Sequence, residues 1–574
     1  MDVTIVGVLG LAAAVATGAP SRALAADRFA TYANPVDLPY RYQFRSLREA
    51  ADPTVVWFKE RYWLFASHSK GYWWSHDLRT WEFVEPTGFP VNRYAPTAVV
   101  IDGKLFMTAS ENTPDIWTTD DPLAGGWTKA ADIRPGYNDP CLFLDDDGRL
   151  YLYEGLSGTD TLRAYELDRH TFQPIRKADV PASRDKAARG WEVVGDNNEI
   201  DSAESFVEGS WMTKYNGTYY LQYASPGTEY KSYADGVLTS KNPLGPFTYA
   251  PYSPFSFKPT GFAAGAGHGS TFQGTDGQWW HMATMTISKR FKFERRLGLF
   301  PATFSEKGEL TADTYLGDYP RYLGGKRELT GWMLLSRRKP VTVSSALADF
   351  PAENAADEDI RTWWSARTGD ATEWLKMDLG AMKTIEAVQL NFADQDSAGR
   401  GISRDVYRYV VEGSDDGSVW RPFVDQSTGG RDAPHDYRVL SRPQRARYIR
   451  VRNVHMPDNG KFSLYDLRVF GRGDGPSPGV VTAVTATRHS DDSRRATISW
   501  QPVGKADFYI VRLGVNPDAM NQNFQVYDGA LAADVGSLNS GQKYYVAVDA
   551  VNEHGVTKGR TNTILPAQLH HRRR

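Results

Sequence analysis

The chain has 574 residues, a formal net charge of −3, 17 Trp, 30 Tyr, 51 Gly and a single cysteine. That length calls for several domains. With so small a net charge neither a nucleic-acid-binding stripe nor an acidic tail stands out, and one cysteine excludes an intrachain disulfide. Abundant Trp, Tyr and Gly fit many short strands joined by tight turns, and also sugar binding through ring stacking.

An apolar stretch from Ile5 to Ala16 is followed by small residues ending Ala23-Leu24-Ala25-Ala26. This pattern predicts a signal peptide over residues 1–26, although the segment before it carries Asp2 and no Lys or Arg. The stretch is too short and too Gly-rich to span a bilayer, and no other segment reads as a membrane span. The expected location is therefore outside the cell, and the low cysteine count fits an exported bacterial protein.

Residues 30–335 carry a weak internal repeat in which a turn precedes an aromatic-apolar strand. It appears at Glu60-Arg61-Tyr62-Trp63, Asp102-Gly103-Lys104-Leu105, Asp147-Gly148-Arg149-Leu150, Asn216-Gly217-Thr218-Tyr219 and Asp276-Gly277-Gln278-Trp279. Asp-Gly and Asn-Gly before such runs are hairpin signals. Five small antiparallel sheets without helical periodicity between them predict a five-bladed β-propeller whose first strands line a central channel.

Three acidic segments stand at strand entrances in this unit: Ala51-Asp52-Pro53, Asn138-Asp139-Pro140 and Val207-Glu208-Gly209. Carboxylates at strand entrances on different blades can converge on one cavity. Paired carboxylates in an aromatic-lined cavity are the equipment of glycosidic bond cleavage. Glu204 is a rival for Glu208. Each Asp-Pro pair, taken alone, also reads as an ordinary turn. Trp73 and Trp74 are candidates for a sugar-stacking wall, and equally for packing between blades. Cys141, in an apolar run with no cation to stabilise a thiolate, reads as a small core residue.

Alternating strands and polar turns continue over 340–473 and predict a first β-sandwich. A Gly/Pro/Ser-rich linker over 474–479 leads to a second sandwich over 480–566, expected to be a spacer without chemistry, and a polar tail over 567–574. The predicted fold class is all-β, a five-bladed propeller followed by two β-sandwich domains. No phosphate loop, zinc spacing or Ser-His-Asp set is apparent.

The propeller unit resembles glycoside hydrolase family 43 over most of 45–325. The resemblance rests on Ala51-Asp52-Pro53, on Asn138-Asp139-Pro140 followed by Phe143 and Asp145-Asp146-Asp147-Gly148, and on Glu208-Gly209 followed by Asn216-Gly217. It implies that Asp52 is the general base, that Asp139 tunes and orients the acid, and that Glu208 is the general acid of an inverting reaction. The family's third segment runs Glu-Gly-Pro, whereas Ser210 follows Gly209 here. The same resemblance makes His268, in Gly265-Ala266-Gly267-His268-Gly269-Ser270, a substrate contact or a metal contact through water. It makes Arg295 a substrate contact, with Arg296 as its rival. Phe293 to Tyr319 looks like family branches that act on arabinogalactan-type side chains.

The first sandwich resembles discoidin-like (coagulation factor 5/8 C-type) domains, on motifs including Thr362-Trp363-Trp364-Ser365 and Trp374-Leu375-Lys376-Met377-Asp378-Leu379-Gly380. In such modules the loop matching Asp357 and Asp359 often holds a structural calcium. The second resembles a fibronectin type III domain through Ser499-Trp500 and Lys543-Tyr544-Tyr545-Val546. Together the resemblances imply a secreted glycosidase that removes terminal sugars from polysaccharide or oligosaccharide. The first candidate activity is α-L-arabinofuranosidase, then β-D-galactofuranosidase or β-D-xylosidase. No cofactor is expected for catalysis, with a structural calcium possible in the discoidin-like domain or the propeller channel. The discoidin-like module is expected to hold the enzyme on its substrate. A non-catalytic carbohydrate-binding adhesin is the alternative class, and the presence of all three carboxylates argues against it. Oligomeric state is left open.

Overall fold

The computed structural model describes residues 27–568 except 90–92, 111–114, 134–135, 289, 326, 402 and 562. The expected signal peptide and the end of the tail, 569–574, lie outside the described residues.

The turn dipeptides of the repeat each join the first two strands of a small sheet. At Asp102-Gly103 and Asn216-Gly217 both central residues have positive φ, the conformation that matches the twist of a two-residue hairpin. The flanking strands are rich in Val, Ile, Tyr and Trp, with buried residues at both ends and less buried ones between. Blade 1 runs Thr54–Phe58, Arg61–Phe65, Tyr72–Ser75 and Glu82–Val84. Blade 2 runs Thr97–Ile101, Lys104–Thr108, Asp115–Thr119 and Thr128–Asp132. Blade 3 runs Cys141–Leu144, Leu150–Glu154, Leu162–Leu167 and Pro174–Val180. Blade 4 is Glu208–Tyr215, Thr218–Ser225, Ala234–Ser240 and Thr248–Tyr249. Blade 5 is Ala264–Gln273, Trp279–Thr286, Arg295–Phe304 and Leu310–Ala312. All pairings within the blades are antiparallel, and a single parallel bridge, Ala234 to Ala266, joins blades 4 and 5.

The blades are stitched by a recurring hydroxyl. Ser67, just past the second strand of blade 1, accepts the Ala95 N–H of blade 2 at 2.7 Å. Ser110, two residues past the second strand of blade 2, accepts the Asp139 N–H of blade 3 at 2.9 Å. Thr284 of blade 5 accepts the Asp52 N–H of blade 1 at 2.8 Å. Each bond fixes the strand entrance of the next blade around the channel.

The first sandwich contains long bent strands, Trp374–Phe392 and His435–His455, whose register shifts let one strand serve two parts of the sheet. Met333–Leu334 pairs with Phe470 and Gly471, so by strand pairing this unit begins before the expected boundary at 335–340. The second sandwich sets Val484–Arg488, Ala496–Trp500 and Ala532–Val535 against a sheet built on Phe508–Gly514 and Tyr544–Asn552.

The spacer expectation for this last unit is overturned. Trp191 and Tyr223 of the propeller share a buried core with Val535 and Leu538 of the second sandwich. Asn539 donates to the Pro251 and Ser253 carbonyls, and Gly190 N–H donates to the Leu538 carbonyl at 2.9 Å. At Gly190 a Cβ would lie 2.1 Å from the Gly536 carbonyl oxygen, so only glycine allows this approach. The supposed linker is held as well: Asn552 and Thr557 donate to the carbonyls of Pro476 and Pro478.

Candidate active site

Every inner strand carries a residue with positive φ at or near its entrance: Asp52 (53°), Ala95 (43°), Asp139 (46°), Gly209 (65°) and His268 (45°). Asp and His tolerate this region better than branched residues, but it remains unusual for any residue with a Cβ. In blades 4 and 5 the kinks coincide with register shifts between Glu208 and Trp211 and around Gly267. Asp52, Asp139, Glu208 and His268 all line one cavity at the channel. Blade 2 has alanine at the corresponding place and contributes no ionisable group there. Gly209 is needed for close approach, because a Cβ on it would lie 2.7 Å from His268 Cγ.

The cavity has a volume of about 270 Å³. Asp52, Asp139 and Glu208 are buried in its floor, each under 9% exposed. Asp52 Oδ2 accepts from Ser67 Oγ at 2.6 Å, and its Oδ1 accepts from Arg295 Nη1 at 3.2 Å. His268 Nδ1 lies 3.2 Å from the same Oδ1 and 3.8 Å from Asp139 Oδ2. Burial alone would raise the Asp52 pKa, but Arg295, His268 and the Ser67 and Thr284 hydroxyls outweigh it and hold the carboxyl below its ordinary value. Asp52 is therefore an ionised carboxylate at neutral pH.

Asp139 and Glu208 are displaced the other way. Burial and then the charges of Glu208 and Asp52 push Asp139 well above the usual carboxylate range. Burial pushes Glu208 up to about 7, opposed by the Tyr233 hydroxyl, which donates to Oε1 at 2.5 Å. One floor thus holds an ionised carboxylate beside a pair that retains a proton near neutrality, the division that separates a base from an acid. His268 is lowered chiefly by burial. Its backbone N–H donates to Asp235 Oδ1 at 2.7 Å, which pins the kink.

Arg295 reaches the cavity, and its rival Arg296 does not. Arg295 Nη2 donates to Glu49 Oε1 at 2.6 Å and Nη1 to Thr228 Oγ1 at 3.2 Å. Arg296 turns to the other side, where Nε donates to His435 Nε2 at 2.9 Å. Glu204, the rival of Glu208, is exposed and is not among the cavity residues. Cys141 is buried, takes the Met212 N–H on its sulfur at 3.3 Å, and is pushed up to about 12 by burial.

Trp73 and Trp74 do not form a stacking wall. Trp73 is buried against Phe83 at 5.4 Å, and Trp74 is covered by Arg61 at 4.8 Å. Both lie on the third strand of blade 1, away from the channel. The aromatic groups at the cavity are instead Tyr94, Phe206 and Phe293, with Leu156 beside them. Phe206 and Leu156 are 42% and 41% exposed at the mouth.

Asp357 and Asp359 serve a turn in this structure. Asp357 accepts from Asp359 N–H and Thr362 Oγ1, Asp359 accepts from Arg361 N–H, and the Lys231 ammonium stands 3.9 Å from Asp359. These bonds hold the turn, and the lysine faces Asp359 alone. In the propeller channel no group of three or more His, Cys, Asp or Glu among the described residues is arranged to hold a metal ion.

Sequence reasoning missed Tyr233, Glu49, Thr228 and Ser67. None sits in a motif, and each matters through a partner distant in the chain.

Residues 47–310 match the model of glycosyl hydrolases family 43, and residues 340–467 match that of the F5/8 type C domain. The chain carries a family 43 glycosyl hydrolase domain. The matched range takes in blades 1 to 4, blade 5 up to the start of its outer strand, and all the carboxylates of the cavity floor. The chain is 34% identical over 172 residues to a beta-xylosidase of Xylanibacter ruminicola, covering 26% of this chain and 53% of that protein. It is 32% identical over 182 residues to an arabinoxylan arabinofuranohydrolase of Bacillus subtilis, covering 27% and 33%. It is 27% identical over 242 residues to a beta-D-galactofuranosidase of Aspergillus niger, covering 35% and 64%. The chain thus spans less than two thirds of each of these relatives.

Proposed function

We propose that the protein is a secreted, inverting glycoside hydrolase that removes terminal furanosyl or pentosyl residues from polysaccharide side chains. The observation that carries this reading is the split floor: Asp52 held ionised by Arg295, and Glu208 raised to about 7 beside Asp139, in one cavity. Asp52 takes a proton from the attacking water, and Glu208 gives one to the leaving oxygen. Burial and the Asp52 charge keep Glu208 protonated, and Asp139, itself raised, shares the proton of the pair. A cavity of about 270 Å³ lies at the small end of ligand pockets, roughly 300–1,000 Å³, and suits one terminal sugar. Export rests on the apolar N-terminal stretch.

The order of candidate sugars is α-L-arabinofuranose, then β-D-galactofuranose and β-D-xylose, consistent with relatives named for all three. The last sandwich is read as fibronectin type III-like on its strand order, three strands in one sheet and the rest in the other.

The test is a panel of 4-nitrophenyl glycosides of the three sugars with wild type and Glu208→Gln. Turnover by wild type, with a loss of at least 10²-fold in the variant, is expected for removal of a general acid. Binding without turnover on every sugar would return the adhesin reading. Proton NMR of the first-formed anomer tests inversion, and a retained anomer would remove the base role from Asp52.

A further inference from the structure

Two walls of the cavity rest on the discoidin-like domain. The first is the segment that carries Lys292, Phe293 and Arg295. Glu294 and Arg296 flank Arg295 in sequence and point away from the cavity into the domain boundary, where both are buried. Tyr465 of the discoidin-like domain donates to Glu294 Oε1 at 3.1 Å and accepts from Arg290 Nη2 at 3.1 Å. The Arg290 guanidinium also lies 4.2 Å over the ring of Trp363. His435 of the same domain accepts from Arg296 Nε. Arg295 is thus held in place by neighbours on both sides that are anchored outside the propeller.

The second wall is the loop that carries Gly227, Thr228 and Glu229 at the cavity and ends at Tyr233, the partner of Glu208. Arg361 of the discoidin-like domain pairs with Asp196 at 2.8 Å and reaches the Glu229 carbonyl at 3.4 Å. Asp196 in turn accepts the Lys231 N–H of this loop at 2.9 Å. The turn of Asp357 and Asp359 presents Arg361 for this purpose, which gives those carboxylates a role without a cation.

We propose that the discoidin-like domain is a structural wall of the active site, with Tyr465 as the positioning residue for Arg295 and Arg361 as the positioning residue for the Tyr233 loop. The proposal rests on the hydrolytic reading above for its kinetic consequences, and on geometry alone for its mechanical ones. Loss of the Tyr465 hydroxyl leaves Glu294 and Arg290 paired to each other at 3.2 Å but removes the bond that ties this pair to the discoidin-like domain, and Arg295 loses part of its fixed approach to Asp52. The titratable groups around Asp52 are then His268, His68, Asp139, Glu208, Glu49 and Tyr233, with a weakened guanidinium.

The experiment uses the full chain with Tyr465→Phe, Arg361→Ala, Arg361→Lys and, as a control, Arg447→Ala, whose partner Asp378 lies within the same domain. On the glycoside that wild type cleaves, Tyr465→Phe is expected to lower kcat/KM about tenfold, within the 10²-fold that a 1 Å misplacement can cost. The acidic limb of its pH profile should rise by about half a unit, a fraction of the 1–3 units an adjacent arginine supplies. Arg361→Ala should move the basic limb upward by loosening the Tyr233 bond, Arg361→Lys should restore most of it, and Arg447→Ala should match wild type. Hydrogen exchange of peptides 227–233 and 288–295 gives a readout without substrate, and faster exchange is expected there in Tyr465→Phe and Arg361→Ala. Unshifted limbs, or exchange unchanged in both peptides, would overturn the proposal. Inactivity of wild type on every glycoside, with exchange accelerated as expected, would overturn the hydrolytic reading and leave the wall standing.

Discussion

Tyr233 governs how much proton Glu208 holds. Its hydroxyl donates to Oε1 at 2.5 Å and pulls the carboxyl down, against burial and the Asp52 charge. Wild-type kcat/KM should therefore fall as pH rises through about 7, where the Asp139–Glu208 pair loses its proton. It should persist down to acidic pH, because Asp52 titrates below its ordinary value. Tyr233→Phe removes a bond to the charged form, so Glu208 rises further and the basic limb moves to higher pH, by about 1 unit for one lost charged hydrogen bond. A pH–rate profile checks it, and a limb moving down would refute the assignment of Glu208 as acid. The three carboxylates were legible in the sequence because each sits in a short segment beside its own strand. Tyr233 and Glu49 were silent, since their partners lie 25 and 246 residues away and no local pattern marks them.

At the scale of the strand, the hydroxyl stitches explain why the blade entrances are strict. Ser67 does two things at once: it accepts the Ala95 N–H across the blade seam and donates to Asp52 Oδ2. Ser67→Ala should leave a buried N–H without its acceptor, at about 1–3 kcal/mol of stability. It also withdraws a bond that lowers the Asp52 pKa, so the acidic limb of activity should rise. The sign for stability follows from the depressed carboxyl. The part owed to Asp52 is present above the unfolded Asp value of about 3.9 and is lost as pH falls through the lower folded value. Thermal unfolding at pH 7 and pH 3 separates the two parts, and an unchanged Tm at pH 7 would refute the stitch. The hairpins were legible because Asp-Gly and Asn-Gly dictate a backbone conformation by themselves. The fates of Trp73 and Trp74 were not, because an aromatic strand has the same pattern whether its face meets a channel or a neighbouring blade.

Across the whole molecule the three units were legible as separate sandwiches and propeller, but their union was not. A domain boundary in sequence is a change of motif, whereas docking depends on which faces meet. Tyr319 and Trp332 of the propeller side, Ala387 and Phe470 of the discoidin-like domain, and Phe508 and Ile510 of the last sandwich belong to one buried cluster. Arg48, fully buried, lies 2.7 Å from both Asp394 and Asp432 across the propeller–discoidin boundary. Exposing that apolar cluster and those charges by opening one unit would forfeit burial in the other two. Scanning calorimetry of the full chain should therefore show one cooperative transition, not three. Arg48→Met leaves the buried Asp394 without its cation, while Asp432 keeps Arg41 at 2.8 Å, and should cost about 3–5 kcal/mol. Because the loss falls on a shared boundary, it should lower the whole transition. A discoidin-like unit that melts separately, in wild type or in Arg48→Met, would show that the units are tethered and not fused. It would also remove the mechanical basis for a cavity wall supplied by the neighbouring domain.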